Sequence, residues 1–329
     1  MEGILITALI VARNEEDYIK KSLKSLLEQD FPKNMYEIII IDGCSTDNTL
    51  NIVKELMLKY EDKIKITLLR NEKKILAAGW NIGIKHASGK YVVRIDAHAT
   101  AERDFLKKNL ETIQKLPDNV AAVGGRLTSV YLENQDKTVS KVLSSPFGIG
   151  NSKFRYANKS QYVDTVAYGL YKKEVFDKVG YFNENLSRSE DNDMHGRIKK
   201  VGYKFYFNPE IKSKYYVRST LKKMLRQAFF NGKWNIIVFK EDRKSLSLRH
   251  LVPLLFVLSI LFLGTLSCFI HQFIYVLIFE VVLYIILGLI FAIRKTRNII
   301  EIAKMIVYFF LLHMSYGVGS LISIFAKKI

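Results

Sequence analysis

Lys90–Tyr91–Val92–Val93–Arg94–Ile95–Asp96–Ala97–His98–Ala99–Thr100 is the stretch from which this chain is read. Tyr91–Ile95 has the composition of a short strand. It ends on an acidic residue, with a histidine two positions further on. Side chains alternate along a strand, so Asp96 and His98 fall on one side of the chain as it leaves the sheet. A carboxylate and an imidazole so placed can hold a divalent cation, and such a cation can hold a diphosphate. The triplet also arises by chance, and aspartate is an ordinary strand-end residue, so its meaning depends on its neighbours.

Upstream, Ile4–Ala12 is a continuous apolar run, the pattern of a strand buried on both faces. It has no basic region ahead of it and charges follow at once, which reads as a strand and not a signal peptide. The soluble part is therefore expected to stay cytosolic. Ile19, Leu23, Leu26 and Leu27 recur at helical spacing. Glu37–Ile41 is a second buried strand ending at Asp42–Gly43. Ser45–Thr46–Asp47 offers caps for a helix to about Tyr60. Lys65–Leu69 reads as a third strand and Ile75–Ala87 as a helix, despite Gly79 and Gly83. This alternation predicts a parallel sheet covered by helices.

Ligands of such sheets sit outside the C-terminal strand ends. Four positions fall there: Thr7 to Arg13, Asp42, Arg70–Asn71 and Asp96–His98. Asp42 reads either as a turn residue before a helix or as an acceptor for a base N–H or ribose hydroxyl. No G-x-G-x-x-G follows the first strand and no G-x-x-x-x-G-K-[ST] occurs, which argues against a dinucleotide fingerprint and a P-loop.

Downstream, Ala101–Leu116 reads as a helix and Val120–Val123 as a strand, after which 131–165 is polar and mixed. Ala167–Tyr171 reads as a strand and Glu174–Val179 as a short helix. Asn185–Asp193 then puts three acids within four residues ahead of Met194, Ile198 and Val201 at helical spacing. A charged cap favoured by the helix dipole is one reading. The other makes Asp191 a general base toward a hydroxyl.

The chain of 329 residues carries a formal charge of +18, which favours anionic partners: nucleic acid, acidic lipid or a phosphate-rich substrate. Half of that excess lies in 212–250, where eleven Lys or Arg face two acids and interleave with Met224, Phe229, Phe230 and Trp234. A basic amphipathic segment beside apolar runs reads as lying on an anionic membrane surface, and no nucleic-acid-binding motif accompanies it. Three apolar segments follow: Val252–Ile270, Phe273–Ile293 with Glu280, and Met305–Ala326 with His313. Each is long enough to cross about 30 Å of hydrocarbon. The basic spacer Arg294–Lys304 is expected on the cytoplasmic side, with 212–250. The third segment spans, or re-enters at Gly317 and Gly319. Glu280 is either a paired structural group or part of a lipid-substrate path. Cys44 and Cys268 lie too far apart in character for a disulfide framework.

The run Ala8–Glu15, then Glu37–Asp47, then Asp96–Ala97–His98, then Glu190–Asp191 resembles glycosyltransferase family 2 with the GT-A fold. Arg94–Ala99 and His313-x-x-Tyr316–Gly317 resemble its membrane-bound succinoglycan-type glucosyltransferases. The resemblance implies an α/β, Rossmann-like mixed sheet flanked by helices over 1–211. Amphipathic interface helices over 212–250 and about three transmembrane helices over 251–329 would follow. It implies an inverting hexosyltransferase with a nucleotide-sugar donor, a UDP-hexose, and a divalent cation, Mn²⁺ or Mg²⁺, held by Asp96 and His98. Asp191, with Glu190 beside it, is the implied base. Ala12, Arg13, Glu15, Asp42, Asn71, Asp96, Lys233 and Trp234 are the implied substrate contacts. Lys233–Trp234 only partly match the Q-x-x-R-W motif of related membrane synthases. His98 replaces the second acid of the commoner D-x-D pattern, and either ligates the metal or contacts phosphate. With one base and no second carboxylate nucleophile, direct displacement with inversion is expected. The departing diphosphate would be stabilised by the cation and Lys or Arg.

The implied partners are a lipid-linked, polyprenyl-diphosphate saccharide acceptor, membrane lipids and other enzymes of polysaccharide assembly, without nucleic acid. The implied location is the inner or plasma membrane, multi-pass, with the catalytic domain cytoplasmic. Two alternatives stand beside this: transfer of one sugar to polyprenyl phosphate, and a non-catalytic membrane scaffold that keeps the fold.

Overall fold

The computed structural model describes residues 3–131, 136–149, 153–186, 188–217, 220–241 and 250–325. Ser187, the stretch 242–249 of the basic segment and the tail Lys327–Lys328 lie outside them. The chain forms two compact units. The first comprises residues up to Val130 and Lys153–Tyr216. The second comprises Tyr131–Ser152 and Val217 onward.

The first unit is built on a mixed sheet. Its parallel half holds β1 (Ile6–Ala12), β2 (Tyr36–Asp42), β3 (Ile66–Arg70) and β4 (Tyr91–Asp96), in the spatial order β3-β2-β1-β4. Every residue of β2 and all but one of β1 are buried, as strands covered on both faces must be. Between them run α1 (Ile19–Leu27), α2 (Thr49–Tyr60) and α3 (Leu76–His86). On α1 the buried residues are Ile19, Ser22, Leu23, Leu26 and Leu27, while Lys20 and Lys21 face out. The glycines of α3 have a packing cause. A Cβ on Gly79 would come within 2.6 Å of Val11 Cγ1, and one on Gly83 within 2.9 Å of Ile41 Cδ1. They let the helix press against the sheet, which offsets their poor helix propensity.

Beyond β4 the sheet turns antiparallel. β5 (Ala99–Ala101) is followed by α4 (Phe105–Gln114) and β6 (Val120–Tyr131), and, after the excursion into the second unit, by β7 (Gln161–Val163) and β8 (Leu170–Lys172). Then come α7 (Glu174–Val179), α8 (Glu190–Lys200) and β9 (Lys204–Val217), while α5 (Lys137–Leu143) and α6 (Pro146–Ile149) belong to the second unit. β8 pairs antiparallel with β4 and β6, and β9 pairs antiparallel with β5 and β7. Three of these strands were not expected. β5 and β7 are three residues long, and β9 alternates exposed and buried residues with charges on its outer side. The basic segment expected from residue 212 therefore begins inside a strand: Lys214 sits on β9 and pairs with Glu102 at 2.7 Å.

The second unit is helical. It holds α5 (Lys137–Leu143), α6 (Pro146–Ile149), α9 (Leu221–Glu241), α10 (Val252–Ser267), α11 (Phe273–Ile293) and α12 (Ile299–Ile324). Val139, Val142, Met224, Ala228, Ala292, Met305, Phe309 and Leu312 form its core. The excursion between β6 and β7 thus packs with the C-terminal helices. Asp136 accepts from Tyr308 at 2.6 Å, and Lys141 pairs with Glu301 at 2.5 Å. Among the described residues, α11 and α12 are long and apolar enough to cross a membrane, while α10 has 16 residues. The first apolar run thus makes a shorter helix than its 19-residue span led one to expect. Glu280 on α11 accepts from Ser259 on α10 at 2.5 Å.

Candidate active site

Four strand tips of the parallel half end on one rim, and the loops after them enclose a cleft of about 230 Å³. Val11, Arg13, Glu15, Asn71, Asp96 and His98 are among its walls, with Ala12, Gly43 and the start of α3 at Lys74–Leu76.

The loop after β1 is shaped by Asn14, which adopts a left-handed backbone, φ 55°. Its side chain accepts from Thr46 N at 2.8 Å, and its own N–H donates to Ser45 Oγ at 3.0 Å. Glu15 N donates to Thr49 Oγ1, and Glu16 N to Asp47. The loops after β1 and β2 are thereby laced together. Asp42 ends β2 and is buried. Its carboxylate accepts from Ser45 Oγ at 2.5 Å and Ser45 N at 3.0 Å, so it shapes the Gly43–Asn48 loop while Gly43 reaches the cleft. Asn71 after β3 donates to Ile75 O at 2.8 Å, and its Oδ1 is buried without a hydrogen-bond partner among the described residues. The first turn of α3 follows it, and helix N-termini present free N–H groups suited to an anion.

Asp96 ends β4, opposite Val11. One of its oxygens accepts from the Tyr168 hydroxyl at 2.9 Å. Burial pushes the Asp96 carboxyl above its ordinary range, against His98, Tyr168 and Arg94, which pull it down. His98 Nδ1 is buried, lies 3.3 Å from Glu15 Oε1 and has no hydrogen-bond partner among the described residues. The ring meets Tyr215 edge-on with centroids 4.9 Å apart.

Glu190 and Asp191 open α8, preceded by Ser189 in the left-handed region at φ 64°. Neither lines the cleft as delimited above. Asp191 Oδ1 accepts from Arg94 Nη2 at 2.6 Å, and its side chain is 48% exposed. Burial raises the Asp191 carboxyl, but the Arg94 guanidinium and His195 together outweigh this and hold it below the usual range. Burial, and then the charge of Asp191, push Glu190 up to about 7. Neighbouring carboxylates driven apart in this way suit one ionised base and one group that keeps its proton near neutrality.

Arg94, Tyr168 and His195 escaped the sequence reading as site residues. Arg94 had a signal: a charged residue in the middle of an apolar strand needs a partner, and it stands two residues before Asp96, on the same side. Tyr168 and His195 had none, because both act through residues distant in sequence. Lys233 and Trp234 lie on α9 of the second unit, both half-buried. Among the described residues no group of three or more His, Cys, Asp or Glu gathers as a metal cluster.

Comparison with known proteins gives the same direction throughout. The profile described as "Glycosyl transferase family 2" matches residues 7–180. A dolichyl N-acetyl-alpha-D-glucosaminyl phosphate 3-beta-D-2,3-diacetamido-2,3-dideoxy-beta-D-glucuronosyltransferase of Methanococcus voltae is 35% identical over 321 residues, 95% of each chain. Succinoglycan biosynthesis protein ExoA of Rhizobium meliloti is 28% identical over 75% of this chain and 73% of its own. Among solved structures, mannosyltransferase PcManGT from Pyrobaculum calidifontis in complex with GDP-Man and Mn²⁺ superimposes with a TM-score of 0.61, at 18% identity. That match covers 100% of this chain and 89% of that one, and it establishes a shared fold.

Proposed function

This chain belongs to glycosyl transferase family 2 and is a glycosyltransferase, and from that premise we propose that it transfers a sugar, with inversion, from a nucleotide-sugar donor to a lipid-linked saccharide. The observation that carries this reading is the gathering of Ala12, Arg13, Glu15, Asn71, Asp96 and His98 around one cleft at the C-terminal rim of parallel strands.

In this reading the base and ribose of the donor lie against Asn71 and the loop braced by Asp42. The unpartnered Oδ1 of Asn71 accepts an N–H or O–H from the nucleotide. Arg13, Glu15 and the start of α3 face the diphosphate. A hard divalent cation fits Asp96 and His98: one is a half-buried carboxylate, the other has a buried nitrogen with no hydrogen-bond partner among the described residues. Two protein ligands are few, which suits a cation completed by substrate phosphates. When bound, it would neutralise charge growing on the departing diphosphate. Asp191, kept ionised by Arg94, takes the proton from the acceptor hydroxyl as that oxygen attacks the anomeric carbon. Lys233 and Trp234 are proposed as substrate contacts on motif resemblance alone.

The acceptor is a saccharide carried on a polyprenyl or dolichyl phosphate or diphosphate. The relative in Methanococcus voltae is named for a dolichyl-phosphate-linked N-acetylglucosamine, which supports that class. The apolar α11 and α12 support a membrane protein, and the basic spacer Arg294–Lys304 favours a cytoplasmic first unit. The deciding experiment offers membranes containing the protein a panel of radiolabelled nucleotide sugars, with Mn²⁺ or Mg²⁺, and lipids bearing a monophosphate, a sugar phosphate or a sugar diphosphate. Label in the sugar-bearing lipids supports the reading. Label in the bare lipid phosphate alone would convert it to synthesis of a lipid-phosphate sugar. No labelled lipid with any donor would refute it.

A further inference from the structure

Among the described residues, Arg94 is the most deeply buried Lys or Arg. It is 5% exposed, on a strand whose other central residues are apolar. A buried guanidinium is costly unless its partners are fixed, so the partners indicate what it is for. One is Asp191, at 2.6 Å. The others are rings: the guanidinium carbon lies 4.9 Å from the centroid of Trp80, 4.7 Å from Phe182 and 5.7 Å from Tyr171. Guanidinium is planar and more weakly hydrated than a lysine ammonium, so burial in such a cage costs it less.

The cage is itself braced. Tyr171 Oη lies 2.7 Å from His195 Nε2, and His195 Nδ1 lies 2.9 Å from Thr165 Oγ1. Phe182 is held by Asn81, which accepts from its N–H at 2.8 Å and donates to its carbonyl at 2.9 Å. On the other side of the pair, α8 is pinned by Arg197, which joins Asp193 to the carbonyls of Val179 and Tyr181. Strand β4, helix α3 and helix α8 therefore meet at one guanidinium.

We propose that Arg94 is the positioning residue of the base: it fixes the Asp191 carboxylate beside the strand that carries Asp96, and Tyr171–His195–Thr165 holds Arg94 in place from behind. This rests on the reading of Asp191 as base given above. The consequence is a division of labour along β4. Position 96 serves the leaving diphosphate and position 94 the attacking oxygen, two residues apart on one side of one strand.

The test uses the full chain and the variants Arg94→Ala, Arg94→Lys and Tyr171→Phe. It measures transfer to lipid, donor hydrolysis with water as acceptor, nucleotide affinity and melting temperature. The expected result for Arg94→Ala is a kcat loss on the order of 10²-fold in both reactions, with nucleotide affinity changed by less than about twofold. Free guanidinium ion should restore part of that rate, and ammonium much less. Arg94→Lys keeps the charge and covers the case in which the alanine variant does not fold. It should lose kcat by at least about tenfold, because the fork and the ring contacts are gone. Tyr171→Phe should lose less, in the same direction. The proposal is overturned if a folded Arg94 variant keeps kcat within about threefold of the parent, or loses nucleotide affinity in proportion to kcat. Hydrolysis proceeding without lipid transfer would instead refute the acceptor assignment, and the Arg94 ratio would still be read from hydrolysis.

Discussion

At the scale of single residues, the chemistry rests on two adjacent carboxylates in different environments. Asp191 is depressed by Arg94, so it stays ionised well into the acid range. Asp191→Asn should lower transfer by about 10²–10⁴-fold while nucleotide binding persists; retained turnover would remove it from the role of base. Glu190 is raised to about 7 by burial and by Asp191. The folded chain therefore holds a proton there that the unfolded chain releases near the ordinary glutamate range. Stability from this group must fall as pH rises between those two values. Glu190→Gln should accordingly be neutral for melting near pH 4 and stabilise by roughly 1–3 kcal/mol at pH 8. A melting difference independent of pH would contradict this. At position 98 the buried ring nitrogen beside Glu15 predicts that His98→Ala raises the Mn²⁺ concentration for half-maximal activity by about tenfold, and that His98→Asp does so less.

At the scale of elements, legibility followed burial. β1, β2 and β4 are apolar runs because both faces are covered, and such runs are visible in sequence. β9 was hidden because one face carries Lys204, Glu210, Lys212 and Lys214, and charge in 212–250 read as one basic amphipathic segment. In the second unit, α9 and α12 approach through glycines. A Cβ on Gly232 would run into the carbonyl of Tyr316, and one on Gly319 into that of Phe229. Small residues at such contacts let two backbones meet where apolar burial discriminates little between partners. Gly319→Val should therefore cost roughly 1–3 kcal/mol or shift the helices apart. Its melting temperature in detergent, compared with that of Gly264→Val at a position with open space around it, checks this.

At the scale of the whole molecule, the second unit is not a simple C-terminal anchor. Val139, Val142 and Phe147, from the excursion between β6 and β7, pack with Met305, Phe309 and Leu312. A chain cut before Leu221 should therefore expose these side chains and aggregate. Removing 136–149 as well should restore solubility, with nucleotide binding retained in the first unit. If the single truncation is as soluble as the double one, the excursion does not depend on those helices. The sequence by itself determined the strand–helix alternation, the acidic strand ends and the apolar C-terminal helices, because each is a local pattern of polarity at the period of its element. Tertiary structure alone decided that Arg94 meets Asp191, that Tyr168 meets Asp96 and that 136–149 joins the helical unit. Those partners lie tens to more than a hundred positions apart, and only chain closure into the sheet and the bundle brings them within reach of a hydrogen bond.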